Sequence, residues 1–203
     1  MENSKGYKEL IQQMNANGSK KMDGYYPRLM EEIYEWEREE VEDIIWETFV
    51  NQNDSDLAIF LPKLKKYKGI DALKSKLDTY DIPSGGSVKI SQVLYEATKD
   101  NKYLDTIKQN IDLEPNKISN VAILSYCKPC KKTYELLVDI YINSENEVVR
   151  STAVTGILYN REIIKNPLDL QEMMMNLELE RKFDLDDITE RKKIMIMFEN
   201  GQL

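Results

Sequence analysis

The sequence predicts an all-α protein, a short right-handed superhelix of stacked antiparallel helix pairs, and three observations support this. The 203-residue chain contains only eight Gly and six Pro, which favours long helices over a many-stranded sheet. Apolar residues recur at the i, i+4 and i+7 spacing of one helix face. That pattern itself recurs at steps of about 30 residues, which is typical of stacked helix pairs.

The clearest copy of the repeat places Val149, Ala153 and Gly156 in the three slots. Three weaker copies precede it, with Leu57, Leu61 and Leu64, then Ile90, Leu94 and Ala97, and then Ile118, Ala122 and Ser125 in the same slots. Each copy starts an apolar helical stripe. Because a stack of helices mainly offers surface, the repeat favours a binding protein.

Breaks in the chain place the individual helices. Asp23 or Gly24 can cap a helix that starts near Pro27, where a first-turn proline is tolerated. The expected helices are a loose one within residues 1–14, then 27–50, 56–67 and one from Ile70, the pairs 88–98 with 101–110, 116–126 with 130–142 and 146–159 with 167–180, and a last helix after residue 187. We expect no strand.

One repeat domain is expected over residues 1–203. Residues 1–24 are expected to attach loosely, with a polar linker from Asn15 to Gly24. Residues 25–82 hold an acidic helix and the first repeat, and residues 87–203 hold the repeat stack and the C-terminal helix. The clearest break between them is the Pro83–Ser87 loop, which is rich in Gly, Ser and Pro.

The segment from Val149 to Leu158 resembles the first-helix pattern of the HEAT repeat family, including its short bacterial forms. The resemblance covers about residues 54–180 and implies protein binding most often, and more rarely nucleic-acid binding or an enzyme subunit. Small residues at Ala153 and Gly156 would let two helices approach closely. The resemblance also implies a ladder of Asp–Arg pairs between successive repeats. The position of Arg150 is occupied by Ser119, Ser91 and Ala58 in the weaker copies, so this ladder is not evident here.

The net charge of −8 is concentrated in one segment. Residues 31–47 carry nine acids and one base, while the rest of the chain is balanced. An acidic chain lacks the basic footprint that free nucleic acid requires. The chain has no His, which removes the commonest general base and metal ligand. No apolar run spans a bilayer and no signal peptide is evident, so we expect a cytoplasmic protein without membrane contact.

A continuous helix over residues 27–50 would present two opposite faces. Its buried stripe is expected to contain Met30, Ile33, Tyr34, Val41, Ile44 and Thr48. Its acidic ridge gives the candidate partner-binding residues, which are Glu32, Glu35, Glu39, Glu42, Asp43 and Trp46. An acidic ridge is often only a solvated face, but a Trp within it is typical of a binding surface, and carboxylates steer a basic partner.

Three further features have structural interpretations. Glu37 falls on the apolar face of the expected helix over residues 27–50. A carboxylate there needs a cation or hydrogen-bond donors, which the lysines of segment 63–68 could supply.

Cys127 and Cys130 have the spacing of a redox motif or half a zinc site, but no other Cys or His completes such a site. A helix–helix turn with Pro129 before the second helix is expected there. The methionines at 173–175 are expected in an adaptable core or, alternatively, in a groove for a peptide.

These observations predict a non-catalytic protein that binds another, basic protein. Its specific form is a bacterial immunity or antitoxin-type protein that occludes a toxin or enzyme. We expect no catalytic residues, no metal and no cofactor, since no phosphate loop, dinucleotide fingerprint or nucleophile elbow is present. The alternatives are a structural or adaptor subunit that self-associates and a HEAT-like enzyme acting on nucleic acid.

Overall fold

All regular secondary structure in the part of the chain that the computed structural model describes, residues 2–16, 24–52 and 54–203, is helical. This confirms the all-α prediction. The chain divides into two compact units, Met1–Tyr80 and Asp81–Leu203, and the expectation of one domain stays a prediction. Asp23 and most of the expected linker lie outside the described residues. None of the described helices has the length and apolar character needed to cross a bilayer.

The first unit contains three α-helices and three 3₁₀ segments. The α-helices are α1 (Lys5–Met14), α2 (Arg38–Gln52) and α3 (Gly69–Leu77), and the 3₁₀ segments are Pro27–Glu31, Glu35–Glu37 and Ser55–Lys63. The Ser55–Lys63 segment packs against α2, α3 and the Pro27–Glu31 segment. It therefore forms the centre of this unit.

The expected α-helix over residues 56–67 is instead the 3₁₀ segment Ser55–Lys63. Pro62 lies inside it and has no N–H to donate, and its ring would clash with a carbonyl one α-turn earlier. Leu57 and Leu61 are nevertheless fully buried. The apolar pattern therefore predicted the buried residues correctly, while the proline explains why the backbone is not α-helical.

Residues 27–50 do not form the continuous helix that was expected. The chain leaves helical geometry around Tyr34, whose backbone is extended, and α2 begins at Arg38. Glutamates four residues apart would repel one another in an uninterrupted helix. A start at Arg38 instead places Glu39 and Glu40 in the first turn, where the helix dipole favours acids.

The break also rotates the buried face of α2. The helix buries Val41, Glu42, Ile45 and Phe49, whereas Ile44 and Thr48 are only partly buried. The expected stripe was therefore wrong by about one residue from Ile44 onward. The prediction assumes a helix that starts near Pro27, whereas α2 starts at Arg38.

Helix α1 packs more closely than the expected loose attachment. Leu10 is fully buried, and α1 contacts the Pro27–Glu31 segment. A Cβ placed on Gly6 would lie 2.8 Å from the backbone of Leu29 and of Glu32. Only glycine permits this approach of the two backbones.

The second unit is a series of packed helices. They are α4 (Gly85–Thr98), α5 (Lys102–Leu113), α6 (Ile118–Ser125), α7 (Lys131–Asn143), α8 (Glu147–Asn160), α9 (Leu170–Met175), α10 (Leu177–Arg181) and α11 (Ile188–Glu199). Helix α4 packs on α5 and α6, α6 on α8, α5 on α7, and α7 on α8 and α11. Helices lie close to the expected ranges, except that residues 167–180 form the two short helices α9 and α10.

The repeat slots differ in how well they predict burial. Val149, Ala153 and Gly156 are all buried in α8, which agrees with the best copy. In α6, by contrast, Ile118 is 40% exposed and the buried residues are Asn120, Val121, Leu124 and Ser125. Ile118 is the first residue of α6, and the buried residues of this helix begin only at Asn120. The first repeat position is therefore not part of the packed face.

The structure also corrects the expectation for the C-terminal methionines. Met174 and Met175 are 76% and 78% exposed, whereas Met195 is buried. Helix α9, which carries the methionine run, buries none of its residues. The adaptable core expected at residues 173–175 is therefore a surface.

Candidate functional site

Glu42 is the carboxylate on which the acidic region of the first unit is built. One of its oxygens accepts the backbone N–H groups of Lys65 and Lys66 at 2.9 and 2.8 Å, and the other accepts Nε of Arg38 at 3.0 Å. Glu42 is buried, so its expected place on an exposed ridge was wrong. Its interactions fix the segment after the central 3₁₀ segment against α2.

The protonation of Glu42 follows from these contacts. Burial by itself would raise the pKa of Glu42, but the N–H donors of Lys66 and Lys65 and the guanidinium of Arg38 together hold that pKa below its ordinary value. Glu42 is therefore an ionised structural group.

Three of the other candidate residues meet around two lysines. The ammonium of Lys66 lies 3.1 Å from Glu39 and 2.7 Å from Asp43, and that of Lys65 lies 3.5 Å from Glu35. Hydrogen bonds to Asp43 and Glu39 raise the pKa of Lys66. The acidic ridge is thus a surface of mixed charge, in which lysines orient the carboxylates and partly neutralise them.

The two remaining candidates, Trp46 and Glu32, make no direct contact with these lysines in the ion pairs described. Trp46 is partly buried and stacks on Tyr67, with ring centroids 4.4 Å apart and ring planes 6° from parallel. Tyr67 in turn donates its hydroxyl to Asp43 at 2.7 Å. Glu32 lies 3.4 Å from Arg28. Since one face of the Trp46 ring is covered, Trp46 mainly packs the chain against α2.

A different aromatic pair is exposed beside the carboxylates. Tyr34 and Trp36 are 53% and 52% exposed, and their ring centroids are 6.1 Å apart. Glu35 lies between them in the chain, and the side chains of Glu35 and Glu39 are 84% and 80% exposed. We call Tyr34, Glu35, Trp36 and Glu39 the aromatic–acidic surface.

Helical periodicity missed this surface. It placed Tyr34 in a buried stripe, which the structure contradicts, and drew attention to Trp46 rather than Trp36. The alternation of aromatic and acidic residues from Tyr34 to Glu37 could have revealed it. A period of two does not fit a helix face, and it occurs at the point where the helix breaks.

Glu37 holds the backbone that carries the surface. It is buried, and its two oxygens accept the backbone N–H groups of Ser4 at 2.8 Å and of Tyr34 at 2.9 Å. Burial alone would raise the pKa of Glu37, but the hydrogen bonds from Ser4 and Tyr34 keep it below its usual value. The expected need for donors is met by backbone groups rather than by lysines 63–68.

The two cysteines lie at the turn between α6 and α7, as expected. Both are free, and Cys127 is buried. Cys130 is partly exposed and caps α7, where its sulfur accepts the N–H of Thr133 at 3.3 Å. Among the described residues, no group of three or more Cys, Asp and Glu side chains is arranged to hold a metal ion.

Comparisons with known proteins identify no relative of this chain. No protein-family model matches it, and no characterised protein and no solved structure shows significant similarity to it. The site must therefore be interpreted from its own chemistry, which is that of exposed aromatic rings and oriented carboxylates.

Proposed function

We propose that this protein binds a basic protein partner through the aromatic–acidic surface and has no catalytic activity of its own. The observation that carries the proposal is the exposure of Tyr34 and Trp36 beside two exposed carboxylates. Large aromatic side chains dominate the energy of protein interfaces. The half-exposed rings of Tyr34 and Trp36 leave apolar area that a partner could cover.

The charges around the pair favour a basic partner. The side chains of Glu35 and Glu39 remain 84% and 80% exposed although each contacts one lysine, Lys65 and Lys66 respectively. Carboxylates held in this way accelerate association with a basic surface and bind arginine or lysine side chains. The aromatic faces add cation–π contacts to the same side chains.

The scaffold that we propose for the second unit is a HEAT-like right-handed superhelix. The neighbour-to-neighbour packing of α4, α6 and α8, and of α5, α7 and α11, supports it. So does Arg150, whose guanidinium lies 2.9 Å from Asp186, 36 positions further along the chain. This pair supplies one Asp–Arg connection of the kind that the weaker repeat copies lack.

The biological form that we propose is a cytoplasmic bacterial immunity or antitoxin-type protein. A small acidic chain with an exposed aromatic pair fits a stoichiometric inhibitor that occludes a basic toxin or enzyme. The proposed partner is therefore a protein, rather than free nucleic acid or a membrane.

The test is capture of a partner from the native host with tagged wild-type protein and with Trp36→Ala. The captured protein is then purified and its binding measured over a salt series. We expect Trp36→Ala to weaken binding at least tenfold and salt to slow association. Tyr126→Ala removes a partly exposed aromatic side chain from the second unit and serves as the matched control.

Two results would overturn this proposal. One is a captured partner that binds wild type and Trp36→Ala equally well. The other is a partner whose association rate is insensitive to salt and to Glu35→Lys with Glu39→Lys.

A second candidate function is self-association as a structural subunit, which a group of exposed apolar side chains in one short stretch of the chain favours. They are Leu168, Leu170, Met174, Met175 and Leu177. Multi-angle light scattering over a concentration series tests this candidate. A mass that rises from monomer to dimer, and falls back with Met175→Glu, would support it.

A further inference from the structure

A groove opens in the second unit where α5 and α7 end. Helix α5 ends at Leu113, shortly before Pro115, which cannot continue a helix, and α7 ends at Asn143. Residues of both helix ends and of the turns that follow them line the groove, whose volume is about 350 Å³. This volume lies within the range of roughly 300–1,000 Å³ that is typical of clefts that receive a ligand group.

Part of the lining of this groove is apolar. Ile111, Ile140 and Val149, from α5, α7 and α8, line it and are almost completely buried. Leu113 and Val148, each adjacent in the chain to a lining residue, are 55% and 53% exposed. Apolar area that a partner could cover is therefore present in this region of the second unit.

The accessible charges of the groove are mainly negative. Asp112 and Asp139 line it with side chains that are 59% and 53% exposed, and both pair with Lys108, whose Nζ lies 3.4 Å from Asp139. Glu145 also lines the groove and is exposed, and within the described part of the chain its carboxylate makes no ion pair. Three acids and one base among the lining residues give the groove a net charge of −2.

The only base that lines the groove does not make it a site for an anion. The side chain of Lys108 is 21% exposed and is held between Asp112 and Asp139, so its charge is already neutralised. The more exposed carboxylates, including the unpaired one of Glu145, then determine which charge the groove attracts. A phosphate or an acidic peptide would be repelled, whereas a cationic group would be attracted.

We infer that this groove is a second protein-binding surface, which receives a basic segment of another protein that also carries a large apolar side chain. The apolar side chain packs near Ile140 and Val149, and a lysine or arginine of the same segment faces Glu145. Burial of apolar area supplies affinity. The carboxylates accelerate association and discriminate against acidic segments.

The inference does not depend on the aromatic–acidic surface, which belongs to the first unit. The two proposals can therefore fail separately. Capture of a partner that ignores Trp36→Ala would overturn the first, and the behaviour of the groove towards a peptide tests the second. In Trp36→Ala, the groove should bind that peptide with unchanged affinity.

The experiment is a titration of ¹⁵N-labelled full-length protein with the peptide acetyl-Lys-Leu-Lys-Leu-Lys-amide. We expect saturable shifts of the amide signals of Asn116, Glu145 and Val149. One control peptide has Gln in place of Lys and lacks the charge, and another has Ser in place of Leu and lacks the apolar side chains. Each should bind at least about fivefold more weakly, because the groove offers contacts to both kinds of side chain.

Two substitutions test the charged and the apolar contact separately. Glu145→Lys should weaken binding about tenfold, whereas Glu178→Lys, the same change of charge at an exposed position of α10, should keep the affinity within about twofold at about 0.15 M salt. Val148→Ser removes exposed apolar area and should weaken binding about threefold. Ile196→Ser, at a 60% exposed position of α11, is its matched control.

Three results would overturn the inference. They are the absence of saturable shifts at the groove, equal affinity for the Lys-containing and the Gln-containing peptide, and equal affinity in Glu145→Lys and Glu178→Lys. Shifts confined to Tyr34 and Trp36 would also overturn it, while supporting the aromatic–acidic surface. If Glu145→Lys does not fold, equal affinity in Val148→Ser and Ile196→Ser would overturn it instead.

Discussion

The carboxylate of Glu37 accepts the backbone N–H of Ser4 at 2.8 Å, which joins two positions 33 residues apart in the sequence. Ser4 is also the N-cap of α1, where its hydroxyl accepts the N–H of Tyr7. The other oxygen of Glu37 holds Tyr34. One buried side chain thus secures α1 and fixes the backbone that presents Tyr34 and Trp36.

Glu37→Gln should loosen α1 and lower the melting temperature. Glutamine keeps the size of the side chain, but its amide NH₂ would face a backbone N–H and leave that donor without an acceptor. Hydrogen exchange of residues 8–14 should accelerate. Glu40→Gln changes an exposed carboxylate that contacts α1 through Tyr7 and is the matched control. Equal protection of α1 in Glu37→Gln and wild type would contradict the prediction.

Acid should destabilise the first unit through Glu37 and Glu42. Despite burial, which opposes this, their hydrogen bonds keep both pKa values below the ordinary value in the folded chain. Their contribution to stability is therefore complete above the unfolded pKa of about 4.3 and is lost as pH falls through the lowered folded values. Denaturant unfolding between pH 7 and 3 should show a steeper loss in wild type than in Glu37→Gln with Glu42→Gln. Parallel curves would rule out these two groups as the cause.

Gly156→Ala should destabilise the second unit although alanine is the better helix former. A Cβ on Gly156 would lie 2.8 Å from the side chains of Ser125 and Leu137, so α8 would be pushed away from α6 and α7. Such overpacking costs about 1–3 kcal/mol, measurable by urea unfolding. Gly85→Ala is the control, because a Cβ there has open space. A gain in stability with Gly156→Ala would show that the helices part easily.

The two tryptophans should separate stability from binding. Trp46→Ala removes the ring stacked on Tyr67 and should cost roughly 1–3 kcal/mol of unfolding free energy. Trp36→Ala removes a half-exposed ring and should change stability by less than about 0.5 kcal/mol. Thermal and urea unfolding of both variants measure this difference. Equal losses would mean that Trp36 is a packing residue and would remove it from the aromatic–acidic surface.

Thiol reagents should modify Cys130 and spare Cys127. Burial raises the pKa of Cys127. Burial also opposes ionisation of Cys130, but hydrogen bonds from Thr133 and Tyr95 bring the pKa of that thiol below its ordinary value. Intact-mass analysis after iodoacetamide treatment should show one rapid addition, which Cys130→Ser abolishes. Rapid addition at Cys127 in folded protein would contradict the assignment.

Which parts of the site could be foreseen depends on the kind of signal that each residue gives. The burial of Glu37 could be predicted from its spacing of four residues to Val41. The two residues are buried together although Glu37 lies just before α2 rather than inside a longer helix. The hydrogen-bond donor Ser4 could not be foreseen, since Ser4 caps a helix that is distant in the sequence. Glu42 was placed on the wrong face because the phase of a helix depends on where it starts, and local sequence marks that start poorly.

By itself, the sequence determined that the chain is helical, that α8 buries Val149, Ala153 and Gly156, and that its negative charge gathers near α2. These properties follow from periodicity and composition, which act over a few turns of helix. Only the tertiary structure decided that Lys65 and Lys66 neutralise part of that charge, and that Trp36 rather than Trp46 is exposed. Such outcomes depend on contacts between segments that are distant in the chain, and no local pattern encodes them.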